Sequence, residues 1–334
     1  MTVLDHRLSR SRLDLPGYRR LRCGDGFSYL DPDGRPVDDP AELARITGLG
    51  LPPAWHDVWI CPDPWGHIQA VGTDAAGRRQ YRYHELWRTE RDRTKFDRAL
   101  QLGERLPGVR SVLDAHLAGR GLARQRVLAA AVTLLDVAFF RVGGERYAEH
   151  GSYGLATLRH EHVRCTRGAV QFHYRAKSGR DRRMAVTDPR VCRVIRGLMH
   201  GPDGELLGYR MGERWHPVHS AEINAYLKDI AGGPFSAKDF RTWNATVLAA
   251  VGLAVSAPGE RRAVTRVVRE VSEYLGNTPA VCRASYIDPR VVESYERGVT
   301  VRDALPYLGV ASGPGQPATW GPFEAAVVDL LREG

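Results

Sequence analysis

Lysine is nearly missing from this sequence: of 48 basic residues only four are lysines, at positions 95, 177, 228 and 238, and the rest are arginines. Paired cysteines are missing too. Cys23, Cys61, Cys165, Cys192 and Cys282 are odd in number and widely spaced, with no CxxC, which excludes a zinc ribbon or a disulfide framework. The longest apolar run, VLAAAVTLLDVAFF at 127–140, is too short to span a bilayer and contains Asp136. The opening stretch MTVLDHRLSR has no apolar core of the signal-peptide kind, so a reducing cytoplasm is the expected compartment. No GxSxG, HExxH, P-loop or strand-linked GxGxxG occurs, and the paired glycines of RVGGERY lack a following Lys-Ser/Thr. Those absences leave no hydrolase, zinc-protease or nucleotide-binding motif.

What is present is a chain of 334 residues, 43% hydrophobic and 26% charged, with room for two domains. Its formal charge of +9 is unevenly placed. Residues 1–90 hold 12 Lys/Arg against 13 Asp/Glu, and residues 91–334 hold 36 against 26. The excess cation therefore lies in the C-terminal part, as a nucleic-acid surface requires. Charge by itself selects nothing, because many basic proteins bind no polyanion.

Turn chemistry and alternation divide the chain in the same way. YRRLRC, FSYL, DVWICP, GHIQAVGT and RRQYRYH read as short strands, with one helix at AELARIT. A boundary is expected in the mixed-charge run RTERDRTKFDR (88–98), giving a β-rich domain at 1–90 and an α-rich one at 91–334. Beyond it 123–141 is the strongest helix, apolar enough to be buried. Residues 162–188 alternate in three pieces, a three-stranded meander with Lys177 at its second turn. Asp188-Pro189 opens a helix as an N-cap followed by Pro at the first position. Further helices fit 220–230, 237–252 and 259–274, with short ones starting at Thr278-Pro279 and Asp288-Pro289. Tyr286 falls at the junction of the last two.

A few polar residues stand in distinctive contexts. Arg141 closes the buried helix in FFRVGGERY, Lys177 sits in the turn of FHYRAKSGRDRR, and Arg241 lies inside the capped helix SAKDFRTWNAT. Asn277 and Tyr286 share LGNTPAVCRASYIDP. Each has a bland reading: packing for the tyrosine, a helix C-terminus for Arg141, solvent for Lys177. Together, and in this order, the segments resemble the type IB DNA topoisomerases in their short poxvirus-like and bacterial form, from about residue 17 to at least 300.

That resemblance implies an α+β fold, a small β-rich N-terminal domain joined to a mainly helical catalytic domain of the tyrosine recombinase/topoisomerase IB type. It implies that Tyr286 attacks a DNA phosphate, forming a 3′-phosphotyrosyl link and expelling a 5′-hydroxyl. Arg141 and Arg241 would clamp the non-bridging oxygens, and Asn277, where many relatives have His, would add a hydrogen bond. Lys177 would protonate the departing oxygen. An arginine donates protons poorly, whereas a lysine near about 10.4 can be lowered by neighbouring cations; residues 159–190 carry nine Lys/Arg against three Asp/Glu. Neither ATP nor a metal nor another cofactor is implied.

Gln80, Tyr81 and Tyr83 of QYRYH, with Arg146, Tyr147 and Lys238, resemble the family's DNA-contacting positions. Two domains would then close as a clamp on double-stranded DNA, in a monomeric, nucleoid-associated enzyme with no membrane contact. A tyrosine recombinase is the alternative, but the chain has Lys238 three residues before Arg241 where recombinases typically have His, and its first domain reads as strands. QYRYH also fits an edge strand with aromatic pairs. Tyr295 is expected to be an exposed helical residue, and His160 and His162 of HEH to face solvent.

Overall fold

The structure, a computed structural model, describes residues 8–333. These fall into two units, one ending at Thr94 and one beginning at Lys95.

The first unit is built on a five-stranded antiparallel sheet in the order β2-β1-β3-β4-β5. Its strands are β1 (Tyr18–Cys23), β2 (Gly26–Leu30), β3 (His56–Ile60), β4 (Ile68–Thr73) and β5 (Arg79–Tyr83). All five stand where alternation and turn residues placed them. One helix, α1 (Pro40–Gly48), is capped by Asp39, whose carboxylate accepts the Ala41 N–H at 2.9 Å. Its Ile46 packs with Val58, Ile60 and Ala70 into a small core. Strand β5 lies at the sheet edge. The mixed-charge run 88–98 is helical throughout, part of α2 (Glu85–Leu117).

The second unit is mainly helical. Helix α3 (Arg124–Ala138) is buried along nearly its whole length, as its apolar composition demands. It ends earlier than the sequence indicated, because Phe139 turns into the left-handed region at φ 56°. Arg141 therefore does not close the helix but follows it in irregular backbone. After the single-turn α4 (Glu145–Ala148) come β6 (Val163–Cys165), β7 (Val170–Arg175) and β8 (Asp181–Val186), a three-stranded antiparallel sheet. In β7 Val170, Phe172 and Tyr174 are buried while Gln171, His173 and Arg175 face out, the period-two pattern of a half-buried strand. Residues Lys177–Gly179 form a short 3-10 turn between β7 and β8.

Helix α5 (Pro189–Leu198) begins as expected, with the Asp188 carboxylate accepting the Arg190 N–H at 2.9 Å. The hairpin β9 (Gly208–Met211) and β10 (Arg214–Pro217) follows. Next come α6 (Ser220–Ala231), α7 (Ala237–Ala254), α8 (Ala263–Leu275), α9 (Pro279–Ser285), α10 (Pro289–Glu296) and α11 (Pro322–Glu333). The hairpin and α11 were not legible in the sequence. Two surface expectations are also corrected. Tyr295 is buried, its hydroxyl donating to the Ala257 carbonyl at 2.7 Å, because α10 turns that face toward the core. His160 and His162 are half-buried: His160 Nε2 lies 3.0 Å from the Leu198 carbonyl, and the His162 ring packs on Tyr153 with centroids 4.4 Å apart. Among the described residues no helix is long and apolar enough to cross a membrane.

Candidate active site

Arg241 owes its position to α7. At the start of that helix the Asp239 carboxylate accepts the Ser236 N–H at 2.8 Å and its hydroxyl at 2.9 Å, and also pairs with Arg98. One turn on, the Trp243 indole donates to Glu324 of α11 at 2.9 Å, and Asn244 donates to the Asp136 carbonyl of α3 at 2.9 Å. Held on these sides, α7 drives Arg241 inward until it is only 3% exposed. Its guanidinium donates to the carbonyls of Phe139 and, at 2.8 Å, of Leu275.

Arg141 is fixed by backbone. Its carbonyl accepts the Leu155 N–H at 2.8 Å, and Val142 accepts that of Ala156 at 2.7 Å. The two segments meet through Gly143 and Gly154, where a Cβ on either would lie within 2.8 Å of the other's Cα. Only glycine allows so close a pairing. The Arg141 side chain reaches the Gly276 carbonyl at 3.4 Å and the Asn277 side-chain oxygen.

The last turn of α8 is where these side chains converge. Helix ends leave carbonyls without intrahelical partners and carry partial negative charge. Here Gly276 terminates α8 at φ 63°, and the carbonyls are taken in succession by arginines. Arg182 donates to Glu273 at 3.3 Å and Tyr274 at 2.8 Å, Arg241 to Leu275, Arg141 to Gly276, and Arg180 to Asn277 at 2.8 Å. Among the described residues none of these four arginines pairs with a carboxylate. Their charge is dispersed over carbonyl dipoles and left unneutralised. Among the described residues two buried donors of the cluster, Arg241 Nε and Asn277 Nδ2, have no hydrogen-bond partner. Leaving buried donors unsatisfied is costly, and an anion supplies the acceptors this cluster lacks.

Tyr286 stands between α9 and α10. Thr278 caps the first through its side chain, and Asp288 caps the second, accepting the Arg290 N–H at 3.0 Å. The Thr246 hydroxyl of α7 accepts the Asp288 N–H at 3.1 Å, tying the junction to the helix that carries Arg241. The Arg241 guanidinium lies 5.2 Å from the centre of the Tyr286 ring. Burial pushes the Tyr286 phenol up, but the cations of Arg241, Arg141 and Lys238 outweigh it and hold the group below the ordinary tyrosine value. Arg241 itself is lowered by burial and then by Arg141, to about 10, and so stays charged at neutral pH.

Arg141, Tyr147, Lys177, Lys238, Arg241 and Tyr286 line one cleft of about 310 Å³, together with Ser152 and Tyr153, which carried no signal in the sequence. Lys177 is exposed at its turn, and Asn277 joins the group through Arg141. Arg146 is exposed on α4 beside Tyr147 but is not on the cleft wall. A phenol, two fixed guanidiniums and the ammonium groups of Lys177 and Lys238 around one cavity form a set that can bind a phosphodiester and exchange one of its ester bonds.

The remaining candidates belong to the first unit. On β5, Tyr81 is 40% exposed and stacks on Tyr83 with centroids 6.0 Å apart, side by side on one strand face. Gln80 donates its amide to Asp74 at 2.9 Å.

Comparison with known proteins points the same way. A family model described as eukaryotic DNA topoisomerase I, catalytic core, matches residues 84–301. A second, bacterial DNA topoisomerase IB, N-terminal domain, matches residues 26–74. DNA topoisomerase 1B of Acanthamoeba polyphaga mimivirus is 28% identical over 296 residues, 84% of this chain and 88% of the viral protein. DNA topoisomerase 1B of vaccinia virus (strain Copenhagen) is 21% identical over 331 residues, 94% of this chain and 98% of its own. DNA topoisomerase 1 of Daucus carota is 25% identical over 158 residues, 46% of this chain and 19% of that protein.

Proposed function

The chain belongs to the type IB DNA topoisomerase family, and from that premise we propose that it relaxes supercoiled duplex DNA by transient cleavage of one strand. Tyr286 attacks a backbone phosphorus as the phenolate. A 3′-phosphotyrosyl ester forms, the bond from phosphorus to the 5′-oxygen breaks, and Lys177 gives that oxygen its proton. After the free end rotates, the 5′-hydroxyl returns its proton to Lys177, attacks the ester and expels the phenolate. The phosphodiester's energy is conserved in the phosphotyrosine, so the scheme calls for neither ATP nor a metal ion.

Arg141 and Arg241 hold the non-bridging oxygens, and Asn277 donates a neutral hydrogen bond beside them. Donors fixed in advance around developing charge are worth about 10²–10³ each in rate. The observation that carries the reading is the arginine cluster against the Tyr286 ring: it lowers the phenol, and among the described residues it pairs with no carboxylate and keeps buried donors without a partner. Tyr147 and Lys238 in the cleft, Arg146 beside it, and Gln80, Tyr81 and Tyr83 on the edge strand are the proposed DNA contacts. Residues 1–90 serve as a DNA-clamp domain and residues 91–334 as the catalytic domain.

Supercoiled plasmid incubated with the protein in EDTA, without ATP, tests the proposal. Wild type is expected to relax it and Tyr286→Phe to leave it supercoiled. No relaxation by wild type, or equal relaxation by the variant, defeats the reading. Recombination between two defined sites without net relaxation shows a recombinase instead.

A further inference from the structure

Lys177 and Tyr286 come from segments far apart in the chain, yet in-line displacement needs both aligned on one phosphorus at once. A lysine at the tip of a two-stranded ribbon has little of its own to hold it there, since such ribbons are marginal alone. Backbone restrains one side of the tip: the Arg175 carbonyl accepts the Tyr153 N–H at 2.8 Å, and the Arg180 carbonyl accepts that of Ala176 at 2.7 Å. The other side is restrained by two of the three arginines that follow the turn, Arg180 and Arg182. Arg180 donates to the Asn277 carbonyl, and Arg182 to the carbonyls of Glu273 and Tyr274. Arg182 also lies flat on the helix end, where a Cβ on Gly276 would come within 3.1 Å of its side chain.

We propose that Arg180 and Arg182 are positioning residues that lock the Lys177 turn onto the C-terminus of α8, so that the proton donor keeps register with the arginines and Asn277. The inference rests on the reading of Lys177 as the general acid. Arginine suits the task because one planar fork spans two successive carbonyls, as Arg182 does. Both side chains spend donors on backbone. Arg241 gives to backbone too, but among the described residues its Nε and the Asn277 Nδ2 are buried donors left without a partner, and no atom of Arg180 or Arg182 is.

The test is single-turnover cleavage by the full-length protein of a duplex oligonucleotide carrying a site mapped with wild type. It is run on the normal phosphodiester and on one with sulfur at the 5′-bridging position, which departs without protonation. Arg182→Ala is expected to slow cleavage about 10–100-fold on oxygen, part of the 10²–10⁴ a general acid supplies, and to recover near-wild-type rate on sulfur. Lys177→Ala must show the same rescue; if it does not, the general-acid reading falls and this inference with it. Rescue of Lys177→Ala but not of Arg182→Ala overturns the positioning role alone. In the double variant, Arg182→Ala is expected to add no loss on oxygen beyond Lys177→Ala, and an additive loss overturns the proposal. So does weaker DNA binding with a salt slope reduced by about one, the mark of a direct phosphate contact.

Discussion

Arg110 and Arg241 are both buried, 9% and 3% exposed, and their surroundings push them in opposite directions. Arg110 meets Asp136 at 2.8 Å and Glu324 at 2.5 Å, with its guanidinium 3.8 Å from the centre of the Trp320 ring. Burial opposes its charge, but two carboxylates overcome that and raise it above its ordinary value. Arg241 has the carbonyls of Phe139 and Leu275, a second cation in Arg141, and no acid, so it is lowered. The first arrangement is complete in itself and fastens α2, α3 and α11 together. The second, in the proposed mechanism, is completed by a DNA phosphate. What separates the two arginines is thus the carboxylate partner that one has and the other lacks, not their depth.

Removing each cation should expose the difference. Arg110→Ala strands two buried carboxylates and is expected to cost about 3–5 kcal/mol of stability, read by urea unfolding, with cleavage per folded molecule near wild type. Arg241→Ala should reverse that division. Cleavage is expected to fall about 10²–10³-fold, while stability shifts by only about 1–3 kcal/mol, the net worth of two hydrogen bonds to carbonyls.

The pH dependence sharpens the same contrast. Because nearby cations favour the Tyr286 phenolate, the rise of cleavage with pH should lie below the ordinary phenol value of about 10. Arg141→Gln removes one of those charges, destabilises the phenolate, and is expected to move the rising limb upward. An unmoved limb shows that another group controls it. The smallest effect belongs to an exposed cation. Lys238→Ala should leave unfolding unchanged and lower the slope of log affinity against log salt by about 0.9.

Local signals were read well. Asp188-Pro189, Thr278-Pro279 and Asp288-Pro289 each start a helix, since a capping carboxylate or hydroxyl and a fixed φ act within a few residues. The three-piece alternation over 162–188 is the β6-β7-β8 sheet, with Lys177 at its second turn. Tyr295 was misread because which face of a short helix is covered depends on a partner distant in sequence, here the Ala257 carbonyl. The β9–β10 hairpin escaped because its strands are four residues each, too short for a periodic pattern to stand out.

By itself the sequence determined the chemistry on offer: a phenol at a helix junction, and a lone lysine in an arginine-rich turn where the other cations cannot readily give up a proton. It could not assign each guanidinium its acceptor, because those bonds join α8 to residues at 141, 180, 182 and 241. Only the packed chain brings the carbonyls at one helix's end within reach of four arginines that, among the described residues, form no ion pair with a carboxylate. Steric and capping preferences extend over a turn or two of backbone, whereas the field at Tyr286 is summed in space over charges from separate elements.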